Sequence, residues 1–183
     1  MELTVIRLKQ ILPNAKTQNI VWFLEDFNRY NWLHKMNDVE EIAAFVSQIA
    51  HETRELLWWE ELATGEAYEG RDDLGNTVAG DGKRFKGRGY LQLTGRYNYR
   101  AFNIWYNQNF VVHENFVQNP HRIADEHELC MLVSIFYWRN RGLNKPAVYR
   151  DCKRTTKIVN GGYNGFGDRL QYFNRAKKVL LAA

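Results

Sequence analysis

The sequence DVEEIAAFVSQIAHET occupies residues 38–53 and decides much of the fold. Asp38 is a favourable residue for capping the start of a helix. One apolar stripe follows at helical spacing, formed by Ile42, Phe45, Val46 and Ile49. We therefore predict an amphipathic helix that begins at Asp38, packs its stripe into a core and carries Glu52 near its C-terminal end.

Helical patterns recur along the rest of the chain. Apolar residues at helical spacing predict a short helix over residues 4–12, another from about Asn19 and a last one from Asp168. Residues 123–139 are apolar on nearly every side, which predicts one long buried helix. Glycines interrupt residues 63–89, which predicts loops or short strands. One mainly α domain that includes all of the chain is the simplest interpretation.

The composition is that of one folded domain. The chain has 183 residues, of which 45% are hydrophobic, and this is enough for a sizeable core. Its formal net charge of +4 favours an anionic partner such as nucleic acid, a phospholipid surface or the acidic polymers of a bacterial envelope. Two cysteines, Cys130 and Cys152, are too few for a disulfide scaffold, and Cys130 is expected to be a buried thiol.

The first twelve residues do not have the pattern of a signal peptide. Glu2, Arg7 and Lys9 interrupt the apolar run that an export signal needs. No stretch of the sequence approaches the length of a membrane span. We therefore expect synthesis in the cytosol, no stable membrane insertion and a separate route across any membrane.

Several catalytic motifs are missing from the sequence. Ser47 and Ser134 are the only serines, and neither lies in a G-x-S-x-G elbow, which argues against a serine hydrolase. The phosphate-binding motif G-x-x-x-x-G-K-[ST] does not occur, and the glycines do not form G-x-G-x-x-G after a strand, so nucleotide binding has no support. His51 and Glu52 begin like the zinc motif H-E-x-x-H, but Glu55 occupies the position of the second histidine. We expect no metal ion and no cofactor.

Acidic residues cluster between Glu52 and Glu69 of this basic protein. Glycosidic cleavage needs one carboxyl that carries a proton and a second that stays ionised to activate water. Glu52 has the better position for the acid, because partial burial and the negative end of a helix favour a protonated carboxyl. An unbroken helix would turn Glu61 about half a turn away from Glu52, so for both to face one cleft the helix must stop and the chain bend back between them, around residues 57–60. On spacing alone, Glu60 and Glu69 remain alternatives to Glu61.

Three motifs stand in order along the chain. Residues 45–53, FVSQIAHET, are close to the pattern F-[LI]-A-Q-x-x-H-E-[ST], and residues 85–99, FKGRGYLQLTGRYNY, are close to Y-x-G-R-G-x-[IL]-Q-[LI]-[ST]-x-x-x-N-Y. Residues 158–162, IVNGG, give a third match ahead of Asp168 and Arg169. Together these motifs resemble glycoside hydrolase family 19, the chitinases and related endolysins. The resemblance covers about residues 38–180 and implies a lysozyme-like domain with a glycine-rich loop or short-strand segment lining a cleft.

The resemblance also implies roles for individual residues. Glu52 matches the general acid, and Glu61 matches the general base, so the family favours Glu61 over Glu60 and Glu69. Thr94 matches the Ser or Thr that helps to hold the attacking water. Positions that contact sugar, or lie near the carboxylates, are matched by Gln92, Tyr97, Asn98, Asn160 and Arg169.

The activity implied by the family is metal-independent, inverting cleavage of β-1,4 glycosidic bonds. Residues 68–71, YEGR, and 73–76, DLGN, are more similar to the endolysin branch, which favours bacterial peptidoglycan as substrate, with chitin oligomers as the alternative. We expect a monomer that binds polysaccharide rather than nucleic acid and has no separate wall-binding domain. It would lyse the cell wall either as a phage enzyme released through a holin pore or as a bacterial toxin delivered by a secretion apparatus.

The sequence departs from the family directly after the acid. Chitinases commonly continue H-E-T-G-G, whereas Arg54 and Glu55 follow Thr53 in this chain. Charged residues therefore replace small, flexible ones at this point. Tyr90 also stands where many chitinases have Pro.

The rival hypothesis from another class is a nucleic-acid-binding module. Its basic stripe would be Lys83, Arg84, Lys86, Arg88, Arg96 and Arg100, interleaved with aromatic residues. This hypothesis leaves the acidic cluster unexplained.

Overall fold

The computed structural model describes residues 3–182, and nearly all of its regular structure is helical. Helices α1 to α4 are Val5–Ile11, Thr17–Arg29, Asn31–His34 and Val39–Thr53. Helices α5 to α8 are Asp81–Arg84, Arg96–Asn109, Arg122–Asp125 and His127–Asn140. Helices α9 to α11 are Pro146–Tyr149, Cys152–Asn160 and Phe166–Leu181. Within residues 3–182, β pairing is limited to two isolated antiparallel bridges, Glu60 with Arg88 and Arg88 with Leu93.

The described chain forms two compact units. Residues 3–58 and 137–182 make up the first, which we call the terminal unit. Trp59–Phe136 make up the second, which we call the central unit. None of the helices in the described part of the chain has the length and apolar character needed to cross a bilayer.

Helix α4 is the main helix of the terminal unit and confirms the prediction for residues 38–53. The Asp38 carboxylate accepts hydrogen bonds from the backbone N–H groups of Glu40 and Glu41 and so caps the helix. The predicted apolar stripe is buried, and Phe45 meets Trp138 edge to face with ring centroids 5.2 Å apart. Helix α4 also packs along α11, which fixes the relative position of residues near the ends of both helices.

The chain leaves α4 through an uncommon backbone conformation. Arg54, Glu55 and Leu56 are all left-handed, with φ of 49°, 59° and 61°. The predicted bend around residues 57–60 is therefore wrong in position, since the helix already ends at Thr53. The Thr53 hydroxyl stabilises this exit because it accepts a hydrogen bond from Leu56 N at 2.7 Å, and the Leu56 side chain is fully buried.

The central unit is built around an aromatic core under helix α6. Phe102 packs in tilted contacts against Phe116 and Phe136, with ring centroids 5.1 and 5.7 Å apart, and the rings of Tyr99 and Phe116 are fully buried. The glycine-rich residues 63–89 form loops, two 3₁₀ turns and the short helix α5, so the loop prediction for this segment is confirmed.

The predicted single helix over residues 123–139 is wrong at its start. Helix α7 ends at Asp125, and Glu126 is extended, with φ −117° and ψ 113°, before α8 begins. The Arg122 guanidinium binds the carboxylates of both Glu126 and Glu114, which holds this break in place. The prediction of a buried α8 is confirmed, because its residues from Leu129 to Phe136 are almost fully enclosed.

Candidate active site

Arg169 organises the candidate site of the terminal unit. Its side chain is 1% exposed, and its Nη2 donates to Glu52 Oε1 at 2.6 Å while its Nη1 donates to Gln48 Oε1 at 2.6 Å. Gln48 lies one helical turn before Glu52, so both side chains project from the same face of α4. Arg169 Nε also donates to the Asn164 carbonyl at 3.4 Å. The guanidinium is thus held by three acceptors and fixes one oxygen of Glu52.

The contact with Arg169 engages only one oxygen of Glu52, with Arg169 Nη2 2.6 Å from Oε1. Glu52 Oε2 makes no hydrogen bond within the described residues of the terminal unit. That oxygen is therefore the one open to accept or donate a proton.

Two further side chains of this unit lie close to the same network. His51 Nδ1 is 2.6 Å from Asp168 Oδ2, and its ring packs so tightly on Gly165 that a Cβ there would lie 2.1 Å from it. Asn160 Oδ1 accepts a hydrogen bond from Asn164 N at 3.3 Å. Asn160 is thereby linked through Asn164 to Arg169.

Glu55 is a buried carboxylate that links the end of helix α4 to Asn14 and Tyr172. It accepts hydrogen bonds from Asn14 N at 2.6 Å, Asn14 Nδ2 at 3.0 Å and Tyr172 OH at 2.8 Å. Burial and the hydrogen bond to Glu55 raise the pKa of Tyr172, which therefore remains a donor.

Within residues 3–182, no group of three His, Cys, Asp or Glu side chains is placed to hold a metal ion.

Glu61 is the corresponding carboxylate of the central unit. Its Oε1 accepts from Tyr68 OH at 2.9 Å and its Oε2 accepts from Gly87 N at 3.1 Å. Burial and the contact with Glu61 raise the pKa of Tyr68, so this phenol stays protonated. Lys86 reaches the backbone carbonyl of Glu61 at 3.0 Å, not its carboxylate. Among the described residues of this unit, the Glu61 carboxylate has only neutral partners.

The two alternatives to Glu61 have other partners. Glu60 pairs with Arg88 Nε at 2.9 Å and Lys86 Nζ at 3.4 Å. Glu69 accepts from the backbone N–H groups of Gly80 and Gly82 at 2.7 and 2.8 Å, which ties the glycine-rich loop together. Both carboxylates are engaged in holding the loop, and this favours Glu61 as the reactive one.

Gly87 is the point on which three predicted side chains of the central unit converge. A Cβ at this glycine would lie 2.6 Å from Gln92 Oε1 and 3.3 Å from both Glu61 Oε2 and Thr94 Oγ1. Thr94 Oγ1 donates to the Gln92 carbonyl at 2.9 Å. Polar oxygens of Glu61 and Thr94 therefore face the same small volume, where both could bind one water molecule.

The other two predicted residues of the central unit lie close by. Asn98 Nδ2 donates to the Thr94 carbonyl at 2.6 Å. The Tyr97 ring lies over Gly75, and 60% of Tyr97 is exposed, so one face is open for stacking on a sugar. Each unit thus brings its own predicted residues together.

The basic stripe of the nucleic-acid hypothesis is not a free charged surface. Arg88 is buried against Glu60, and Arg96 pairs with Asp81. The other contacts of the stripe are Lys83 with Glu66, Arg84 with the carbonyls of Val117 and Gln118, and Lys86 with Glu60 and Glu61. Most of these charges stabilise the fold of the central unit.

Two residues of the site were not predicted from the sequence. Gln48 had a usable signal, because a residue four positions before Glu52 shares its helix face. Tyr68 had none, since a loop brings it to Glu61 and no periodicity relates the two.

Comparison with known proteins gives related sequences from bacteria and plants. The chain is 29% identical over 113 residues to a glycosyl hydrolase family 19 domain-containing protein of Haemophilus influenzae, covering 62% of this chain and 51% of that protein. It is 28% identical over 144 residues to acidic endochitinase SP2 of Beta vulgaris, covering 74% of this chain and 47% of that protein. The chain therefore spans about half the length of these relatives. No family model matches it.

Among solved structures, chitinase C of Streptomyces griseus matches with a TM-score of 0.72 at 19% identity, covering 97% of this chain and 76% of that one. The fold is thus the mainly helical, lysozyme-like fold of family 19 chitinases. The predicted fold class and the resemblance to glycoside hydrolase family 19 are both confirmed.

Proposed function

We propose that the chain is an endolysin-type glycoside hydrolase that cleaves the β-1,4 bonds of bacterial peptidoglycan with inversion. The observation that carries this proposal is the contrast between two carboxylates in the matched motifs. Glu52 shares a buried guanidinium with Gln48, whereas Glu61 has only neutral donors and faces Thr94. Two carboxyl groups in different environments are what general acid and base catalysis on a glycoside requires.

Each carboxylate has a distinct role in this mechanism. Glu52 protonates the bridging oxygen of the scissile bond through Oε2, while Arg169 holds Oε1. As the proton leaves, the guanidinium stabilises the carboxylate that forms. Glu61 and Thr94 bind the water and direct it onto the opposite face of the sugar, with Glu61 accepting its proton. The mechanism needs no metal ion, and it requires a carboxyl separation of roughly 6.5 to 9.5 Å.

The remaining predicted residues bind the polysaccharide. Gln92, Asn98 and Asn160 offer amide groups to sugar hydroxyls and acetamido groups, and Tyr97 offers an exposed ring for stacking. The positive net charge supports the acidic wall polymer as substrate. Chitin oligomers are the second candidate, because acidic endochitinase SP2 and other relatives are chitinases by name.

Product analysis tests the activity, the substrate and the bond together. Purified peptidoglycan and chitin oligomers are incubated with the chain, and the fragments are identified by mass spectrometry, with the anomeric form read by NMR. We expect disaccharide-containing wall fragments whose new reducing ends are initially α. Fragments that retain the β configuration would refute the inverting mechanism, and absence of glycosidic cleavage on both substrates would refute the function.

Two variants separate the roles of the carboxylates. Glu52→Gln removes the acid, so it should lose cleavage of natural substrates yet retain cleavage of an aryl glycoside whose leaving group needs no protonation. Glu61→Ala should lose both activities, and added azide should restore turnover with an α-glycosyl azide as product. Glu60→Ala is the matched control, since it removes a neighbouring carboxylate that pairs with Arg88. Azide rescue of Glu60→Ala instead of Glu61→Ala would reassign the base.

A further inference from the structure

Arg54 has an unusual position directly after the helix that carries Glu52. It is left-handed, with φ 49°, in a conformation that is strained for an L-residue but not for a glycine. Its side chain is exposed, and no ion pair or hydrogen bond of its guanidinium occurs within the described residues. Strained backbone clusters at functional sites, and at Arg54 it coincides with an unpaired charge two residues after Glu52 in the sequence.

Arg54 lines a cleft of the terminal unit. The cleft has a volume of about 570 Å³ and is lined mainly by Asn14, His51, Arg54, Glu55, Asp168 and Tyr172. This volume is within the range of ligand-binding sites in proteins.

The charges in this cleft are not equally available to a ligand. Glu55 already accepts three hydrogen bonds from Asn14 and Tyr172, and Asp168 is bonded to His51. The guanidinium of Arg54 is the charge that remains without a partner among these lining residues. The cleft is therefore suited to a ligand with a carboxylate, which a guanidinium binds through two parallel hydrogen bonds.

We infer that this cleft binds a carboxylate of the peptide arm of peptidoglycan, with Arg54 as the residue that recognises it. The inference rests on the proposed function. It would let this site distinguish the wall polymer from chitin, because chitin has no peptide for Arg54 to bind. A four-residue peptide extends roughly 13 Å, which is long enough to reach past the sugar that carries it. Glycine at this position, as in the chitinase pattern H-E-T-G-G, would supply the backbone conformation without the charge.

Hydrolysis of two matched substrates tests this inference. One is peptidoglycan strands with intact peptides, and the other is the same strands after an amidase has removed the peptides. In Arg54→Gly, the ratio of kcat/KM for intact over stripped strands should fall about tenfold, as expected for loss of one bidentate ionic contact. Arg54→Lys should give a smaller fall, because an ammonium keeps the charge without the fork. Arg154→Gln, which removes an exposed arginine of the same unit, should keep the wild-type ratio.

A stability measurement distinguishes recognition from a structural role. Arg54→Gly should unfold at a urea concentration no lower than the wild type, because glycine relieves the left-handed strain. If Arg54 were purely structural, its replacement would not lower the ratio of kcat/KM for intact over stripped strands while leaving stability unchanged. If the ratio of Arg54→Gly equals that of the wild type, the inference is overturned.

Direct binding tests the site independently of turnover. The free wall tetrapeptide should bind the wild-type chain in calorimetry, and both its amidated form and the Arg54→Gly variant should bind at least about tenfold more weakly. Equal binding of the acid and amide forms would overturn the inference even if the chain cleaves peptidoglycan. A wild-type chain that binds the peptide but cleaves no glycan would instead contradict the proposed function.

Discussion

Replacing Glu55 measures the strain in the left-handed exit from helix α4. At most positions alanine is better tolerated than glycine, because glycine loses more conformational freedom on folding. Glu55 has φ 59°, where an L-residue pays roughly 1–2 kcal/mol that glycine does not. We therefore expect the usual order to reverse, with Glu55→Gly more stable than Glu55→Ala.

The magnitude follows from two contributions. Both variants lose the three hydrogen bonds to Asn14 and Tyr172, and because Asn14 can turn to water the shared loss is about 3 kcal/mol. Glycine then recovers the strain of roughly 1–2 kcal/mol but loses up to about 1 kcal/mol through the freedom of its unfolded chain. Glu55→Gly should therefore be about 0.5–1 kcal/mol more stable than Glu55→Ala, which is roughly 2 °C in the melting temperature of a chain this long.

Urea unfolding followed by circular dichroism measures the difference. Asn174, an exposed residue inside helix α11, is the control site, where Asn174→Gly should be about 1 kcal/mol less stable than Asn174→Ala. If Glu55→Ala proves as stable as Glu55→Gly or more so, Glu55 does not adopt the left-handed conformation. The case for strain at Arg54 would then fail as well.

Three further predictions concern pH and the glycine that brings the central residues together. Burial raises the pKa of Glu41 to about 7, so Glu41 contributes fully to the free energy of unfolding below its ordinary pKa, and this contribution is lost as pH rises through 7. In urea unfolding, the free energy of unfolding of Glu41→Gln should therefore rise by about 2 kcal/mol relative to that of the wild type between pH 5 and pH 8. Burial lowers the pKa of His34, whose Nε2 donates to Phe27 O while Nδ1 accepts from Met36 N, so only the neutral ring satisfies both contacts. Its contribution is full above about pH 6.5 and lost as pH falls, and His34→Gln should flatten the acid side of the pH–stability curve. Gly87→Ala should lower kcat at least about tenfold with little change in melting temperature, because the added Cβ would displace the side chains of Gln92 and Glu61. Gly167→Ala is the control and should keep the wild-type kcat, because a Cβ at Gly167 would have no atom within 4 Å.

The sequence was most informative where local chemistry and periodicity agree. Asp38 and the apolar stripe after it predicted the start and the buried face of α4 correctly. The matched motifs also located the residues that cluster around Gly87 and Arg169, because a motif preserves a set of partners that no single residue indicates.

The errors arose where tertiary contacts decide the backbone. Nothing in Arg54-Glu55-Leu56 predicts a left-handed run, since that conformation usually requires glycine, and it is stabilised here by the distant Asn14 and Tyr172. Similarly, no proline or glycine marks the break at Glu126, which depends on Arg122. The direct contact of Arg169 with Glu52 joins residues far apart in sequence, so helix position could not predict it, and only the resemblance placed Arg169 near the carboxylates.

The shared guanidinium of Arg169 has a consequence for inactive forms of the protein. Removing the Glu52 side chain altogether would leave a cation in the interior with one acceptor fewer, at a cost of several kcal/mol. Glutamine keeps an oxygen for Arg169 and is therefore the substitution to use for trapping a complex with uncleaved polysaccharide. The same constraint applies to natural divergence. A descendant that has lost catalysis but still binds sugar should carry Gln in place of Glu52 as long as Arg169 persists. A small apolar residue should replace Glu52 only after Arg169 has changed too.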